Sequence, residues 1–373
     1  MNIFNSYQKI EKPVSIQLDS LRGFSALLVL AAHLIQVFIN PVNIALETFS
    51  QIFSQLAVMM FFVLSGFLIC KSITRNSVQN NTFNAKEYAI DRINRILPPF
   101  IFSILLVSIL FFIAPYFFES SLNSFLSASD HLARDGFFLD TVSLLGTMFF
   151  LNGFITETIS ANGPLWSLSY EVWYYILAAM TVLSNTKKTA LMTTVLFLLL
   201  SALDIKFALH AVIWFSGFVL CIIHNNNVNF KTKKLGFTLL FSTMISLSFA
   251  CFYVLKKHSL INIPLSAGFH LMLFKIFFGF AFSSYLYLIL NAKVKFSNIF
   301  NDSAKYSYTL YIVHYPILLF LFGCFEHEIT ANIFNATLFS ILSFFGIVII
   351  SKLCAEYLEN RKPIKFIKEK ALY

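Results

Sequence analysis

Ten apolar stretches, several near the length of a membrane crossing, leave this chain few ways to fold. They run roughly over 21–39, 52–73, 96–118, 168–184, 190–203, 207–224, 235–255, 268–290, 306–324 and 332–353. A bilayer core takes about 20 residues of helix to cross. Inside it, every backbone N–H and C=O must find a partner within the segment or in a closed barrel. The chain is therefore expected to be an all-α, polytopic bundle of about ten transmembrane helices. An eleventh run, 141–154, is too short to span and is expected to be a re-entrant or interfacial helix.

Composition excludes a soluble fold. Hydrophobic residues make up 58% and charged residues 12% of the chain, about half the charge a soluble domain carries. With a cytoplasmic N-terminus, 22 of the 27 Lys and Arg fall on the inner side, only Arg134, Lys206, Lys256 and Lys257 fall outside, and Lys275 lies within a span. That asymmetry obeys the positive-inside rule, and it accounts for the net charge of +9 through an anionic leaflet, without nucleic acid. One membrane-embedded domain over 1–373 is expected, with 1–20 as a cytoplasmic segment leading into an uncleaved signal anchor and 354–373 as a basic cytoplasmic tail. No fixed-period repeat stands out, which weakens an inverted-repeat transporter. The five cysteines show no metal spacing, and no ligand cluster points to a metal. Cys251 and Cys324 both fall near the outer face and could pair, but five scattered small apolar residues is the preferred account.

Four polar constellations interrupt the apolar runs. Arg22 and His33 are eleven residues apart in one run, about 1,100° of helix, so they share a face, with Asp19 nearly in line. Arg92 and Arg95, at i and i+3 before Pro98-Pro99, read as paired guanidiniums at a helix start, suited either to phosphates or to lipid headgroups. Glu171 lies one turn into the fourth span among Trp166, Ser167, Trp173, Tyr174 and Tyr175. That group reads either as a sugar-binding outer mouth or as an interfacial aromatic belt. Ser307, Tyr311 and His314 form a stripe at i, i+4, i+7, with His314 near the depth of His33, which suggests a shared pocket. Lys275 is a further buried charge, either an anion contact or the partner of Glu171. Ser65-Gly66 in FFVLSGFLI reads as a small pair permitting close helix approach.

Taken in order, LDSLRGFSALLVLAAH, FFVLSGFLI, RINRILP, GPLWSLSYEVWYYI, YSYTLYIVHYPI and YLENRKPIKF resemble the signatures of the membrane acyltransferase-3 family, the multi-span O-acyltransferases of bacterial polysaccharides and related substrates. Ser20 stands where that family often has Gly, and no SGNH-type esterase domain is fused, so a second transfer step is expected to need a separate protein. The resemblance implies a protein of the bacterial inner membrane, and the asymmetry of basic residues over ten spans is expected to leave both termini cytoplasmic. It implies transfer of an acyl group, usually acetyl, from cytosolic acyl-CoA to a sugar hydroxyl. By position, Arg92 and Arg95 would hold the CoA phosphates with support from Arg22. His33 would be catalytic, either as general base or as a transient acyl carrier. Trp166, Ser167, Tyr174, Ser307, Tyr311, His314 and Lys275 are candidates for the acceptor site, and Glu171 for orienting the acceptor. Acyl-CoA is expected as donor substrate, with no tightly bound cofactor. The partners implied are a carbohydrate acceptor, the bilayer and polysaccharide biosynthesis enzymes. The alternative class is a transporter or flippase of a lipid-linked sugar or small solute, using the buried ionisable groups for proton coupling.

Overall fold

The computed structural model describes residues 6–127, 132–184, 186–228, 230–260 and 266–359. Residues 360–373 of the expected tail, including the proline of its ending motif, lie outside the described residues. Among the described residues there is no strand beyond isolated bridges. The described residues form twelve α-helices in order: α1 Lys12–Leu34, α2 Glu47–Gln79, α3 Ala85–Phe117, α4 Thr141–Met148, α5 Trp166–Val182, α6 Lys187–Leu203, α7 Ile205–Asn225, α8 Thr232–Lys257, α9 Ala267–Leu290, α10 Ser307–Cys324, α11 Glu326–Thr330 and α12 Ile333–Leu358.

Eight of these, α1 to α3, α7 to α10 and α12, are long and apolar enough to cross a membrane. The other two expected spans, α5 and α6, form in their places, but 17 residues each reach only about 26 Å. Of the ten expected spans, eight are helices of spanning length and two are shorter helices. The run 141–154 gives the eight-residue α4 followed by irregular backbone, too short to span, as its length predicts.

Two expected helix starts move by nine or more residues. α1 starts nine residues before the apolar run, at Lys12 with Pro13 in its first turn, where a missing N–H costs nothing. α3 starts at Ala85, capped by the Asn84 side chain accepting from the Glu87 amide. Arg92 and Arg95 therefore sit two turns inside a helix and not at its N-terminus, so no helix-dipole argument applies to them. Pro98 and Pro99 lie inside the same helix, where each withholds an N–H from the turn before it.

α10 is the centre of the bundle: 72% of its apolar window is buried, against 17% for α8 and for α12. It packs on α1, α3 and α12, while α2 packs on α1 and α7, and α8 lies against α9. The α2–α7 contact is reciprocal. A Cβ at Gly66 would fall on the Trp214 carbonyl, and one at Gly217 on the Val63 carbonyl. Each glycine lets the other helix's backbone approach, as small residues do in membrane interfaces. All five cysteines are free.

Candidate active site

α1 builds the site from one face. Arg22 and His33 both fall within its regular α-helical part, about 16 Å apart along the axis. Arg22 lines one cavity and His33 another.

The first cavity is narrow, about 100 Å³, and its lining holds Arg22, Arg92 and Arg95 against a single carboxylate, Glu171. Arg22 is held by Asp19 at 3.2 Å and donates to the Ala304 carbonyl at 3.2 Å. That contact depends on Gly23, since a Cβ there would strike the Phe300 carbonyl of the same loop. Ser20 secures the loop further, donating to the Ser297 carbonyl at 2.5 Å and accepting from the Phe300 amide at 3.2 Å. A glycine at position 20 could do neither. The Nε atoms of Arg22 and Arg92 are buried donors without a partner among the described residues. An unpaired buried donor is costly, and phosphate and carboxylate oxygens are the partners that a guanidinium fork fits. Glu171 Oε1 accepts from the Tyr175 hydroxyl at 2.6 Å, Ser65 Oγ lies 3.1 Å from that hydroxyl, and Trp214 Nε1 donates to Ser65 at 3.2 Å.

The second cavity, about 290 Å³, is lined by neutral polar groups as well as His33: Gln36, Asn40, Gln51, Ser54 and Gln55. Arg134, Trp166 and Tyr315 also stand in its wall. Immediately after His33 the helix widens into a π turn over Ile35–Ile39, with the Asn40 amide bonding the Ile35 carbonyl at 2.9 Å. Such turns are frequent at functional sites. Glu47 lines this cavity too, and its carboxylate is engaged by Lys257 at 2.8 Å and by Gln51 at 3.0 Å. His33 Nδ1 lies 2.7 Å from His314 Nε2, and His314 Nδ1 lies 3.0 Å from the Leu310 carbonyl. The two ring planes differ by 10° with centroids 5.0 Å apart, the arrangement of imidazoles joined end to end through a hydrogen bond. Tyr315 meets His33 edge-on at 5.1 Å.

The two cavities share a wall. Val58 and Tyr311 line both, so the stripe Ser307, Tyr311, His314 runs from the arginine cavity, through the partition, to the back of His33. Trp166 faces the His33 cavity while its neighbour Ser167 faces the arginine cavity.

Several sequence expectations change. Glu171, expected at the outer mouth, lines the arginine cavity, and its partner is Tyr175 and not Lys275. Tyr174 is fully buried and reaches neither cavity. Its hydroxyl donates to the Phe207 carbonyl at 2.6 Å and its ring stacks on Phe207. Lys275 sits on α9, which packs on α2, α7 and α8, and it lines neither cavity. Its span-mates separate as well, His270 bonding the Ser266 carbonyl and Ser283 bonding Ser216. His314 is at the pocket expected of it, but wholly buried behind His33. Ser65 is a cavity residue, and only Gly66 is the spacer. The amide residues of the second cavity were not anticipated. Their spacing was a usable sign: His33, Gln36 and Asn40 fall at i, i+3 and i+7, and Gln51, Ser54 and Gln55 fall at i, i+3 and i+4 on α2, each set on one helix face.

No curated protein and no solved structure matches this chain. The acyltransferase-3 family profile, described as an acyltransferase domain, matches residues 15–355. Its span takes in Arg22, His33, the arginine pair and the wall of both cavities, and the chain belongs to that family of membrane acyltransferases.

Proposed function

We propose that this protein moves an acyl group, acetyl in the first instance, from cytosolic acyl-CoA to a sugar hydroxyl of a cell-surface polysaccharide or its lipid-linked precursor. The observation that carries this reading is the pairing of two chemically different cavities across the Tyr311–Val58 partition, one rich in guanidinium and one in neutral amides around an imidazole. The first suits a phosphate-bearing donor. Under the positive-inside distribution it opens to the cytoplasm, in the inner membrane. The second suits a polyhydroxylated acceptor, whose hydroxyls need both donors and acceptors, and Gln and Asn side chains supply each. Trp166 and Tyr315 add apolar ring faces and edges to that wall.

Donor and acceptor would approach from opposite sides. The pantetheine arm would reach along α1 from Arg22 toward His33, past Tyr311. The chemistry then needs one nitrogen lone pair at His33, whether it takes the hydroxyl proton in direct transfer or accepts the acyl group first. Glu171, bonded within the arginine cavity, would contribute on the donor side.

The deciding experiment is consumption and transfer of radiolabelled acetyl-CoA by purified protein in liposomes, with and without added glycans, beside His33→Ala. Label reaching glycan or protein only when His33 is present supports the reading. A correctly folded His33→Ala protein that transfers as well as wild type removes His33 from the chemistry.

A further inference from the structure

We propose that His314 is a positioning residue that sets the tautomer and orientation of His33, so that His33 Nε2 is the nitrogen that reacts. This deepens the acyltransferase reading and rests on its assignment of His33.

The direction of each hydrogen bond follows from a backbone carbonyl. The Leu310 oxygen can only accept, so the proton on His314 must be at Nδ1, 3.0 Å away. A neutral imidazole carries a single N–H, which leaves His314 Nε2 with its lone pair. That lone pair lies 2.7 Å from His33 Nδ1, and two lone pairs do not meet at that distance, so His33 Nδ1 carries the proton and donates. His33 Nε2 is then the bare nitrogen. A positively charged His314 would reverse the inner bond, but its ring is fully buried and makes no ion pair among the described residues. A buried charge without a counter-ion is costly.

Orientation follows from the same contacts. His314 is fixed from α10 by the turn that carries it, and the two rings lie within 10° of one plane. Tyr315 closes one edge of His33. An imidazole held at Nδ1 by a fixed acceptor cannot turn its ring over without losing that bond, the logic by which outer partners fix histidines at metal and protease sites. The role usually taken by a carboxylate is here taken by a neutral imidazole anchored to a carbonyl, which adds no negative charge beside the reacting ring.

Both open routes use this lone pair. In direct transfer, Nε2 takes the hydroxyl proton as the oxygen bonds the thioester carbon, the C–S bond breaks, and the proton passes to the departing thiolate. In the two-step route, Nε2 bonds the thioester carbon and the C–S bond breaks. The hydroxyl oxygen then takes the acyl group from Nε2, and its proton ends on the thiolate.

The test combines nitrogen NMR of ¹⁵N-histidine-labelled protein in nanodiscs with kinetics of His314→Leu and His314→Gln. In the wild type, His33 should show a protonated Nδ1 and an unprotonated Nε2, and the opposite tautomer would overturn the proposal whatever the activity. His314→Leu removes the acceptor and should lower kcat about 10²–10³-fold with the KM for acetyl-CoA within about threefold. His314→Gln keeps an oxygen acceptor where Nε2 lies and should recover to within about tenfold of wild type. A folded Leu variant with wild-type kcat, or a folded Gln variant no better than Leu, overturns it. If Leu does not fold, the wild-type tautomer and the Gln variant still decide. If the wild type transfers no acyl group, the enzymatic reading fails, while the tautomer measurement still judges the His33–His314 geometry.

Discussion

The Tyr311 and Ser167 hydroxyls lie 2.6 Å apart, and Tyr311 also donates to the Pro164 carbonyl at 3.0 Å. The partition between the two cavities is therefore a side chain bonded into place from α5 and the turn before it. Removing it should join the compartments. Tyr311→Ala is expected to raise acyl-CoA hydrolysis relative to transfer by about tenfold or more, because the widened passage admits water beside the thioester as the arm crosses toward His33. Measuring both products in one reaction checks this, and an unchanged ratio would show that the partition does not keep water out.

Arg92 and Arg95 should act on donor affinity. Each hydrogen bond to a charged group contributes about 1.5–3 kcal/mol, so replacing both by Ala should raise the KM for acyl-CoA on the order of 10²-fold or more, with a much smaller change in kcat. Steady-state kinetics at varied donor concentration separates the two parameters. An unaltered KM would take the pair out of the donor site and leave them as lipid contacts.

Gly66 and Gly217 are predicted to be intolerant of a single methyl group. Alanine at either meets the facing backbone carbonyl and should cost about 1–3 kcal/mol by overpacking. Gly236 and Gly346 have no atom within 4 Å of an added Cβ, so alanine there should be neutral or stabilising by up to about 1 kcal/mol. Thermal unfolding of the four variants in one detergent makes the comparison internally controlled.

Glu359 accepts from both the amide and the hydroxyl of Thr309, at 2.8 and 2.6 Å. It thereby ties the end of α12 to the first turn of α10, two residues past Ser307 of the arginine cavity. Glu359→Ala should cost about 1–3 kcal/mol by stranding the Thr309 donors. It should also raise the KM for acyl-CoA by loosening that turn. Glu359→Gln, which keeps an acceptor, should lose less on both counts. Equal effects of the two substitutions would argue that charge, and not the bond, is what matters.

Much of this architecture was legible without coordinates. Apolar run length dictates membrane helices because hydrocarbon offers backbone groups no other partner. The same-face relation of Arg22 and His33 needed only the helical repeat, and it held because the π turn begins after Leu34. The early starts of α1 and α3 were less visible, since those turns are polar and lie outside the apolar runs by which spans are recognised.

What the sequence could not decide is which polar group faces which space. Adjacent residues such as Trp166 and Ser167, or Tyr174 and Tyr175, differ by about 100° around a helix, and one step settles whether a side chain enters a cavity or the packed core. That step depends on where the neighbouring helices lie. The chain alone determined a helical membrane bundle with an arginine and a histidine on one face. The tertiary structure alone decided that Glu171 joins the arginines, that Lys275 and Tyr174 stand apart, and that His314 backs His33, because those outcomes depend on contacts between segments as far apart as 281 residues.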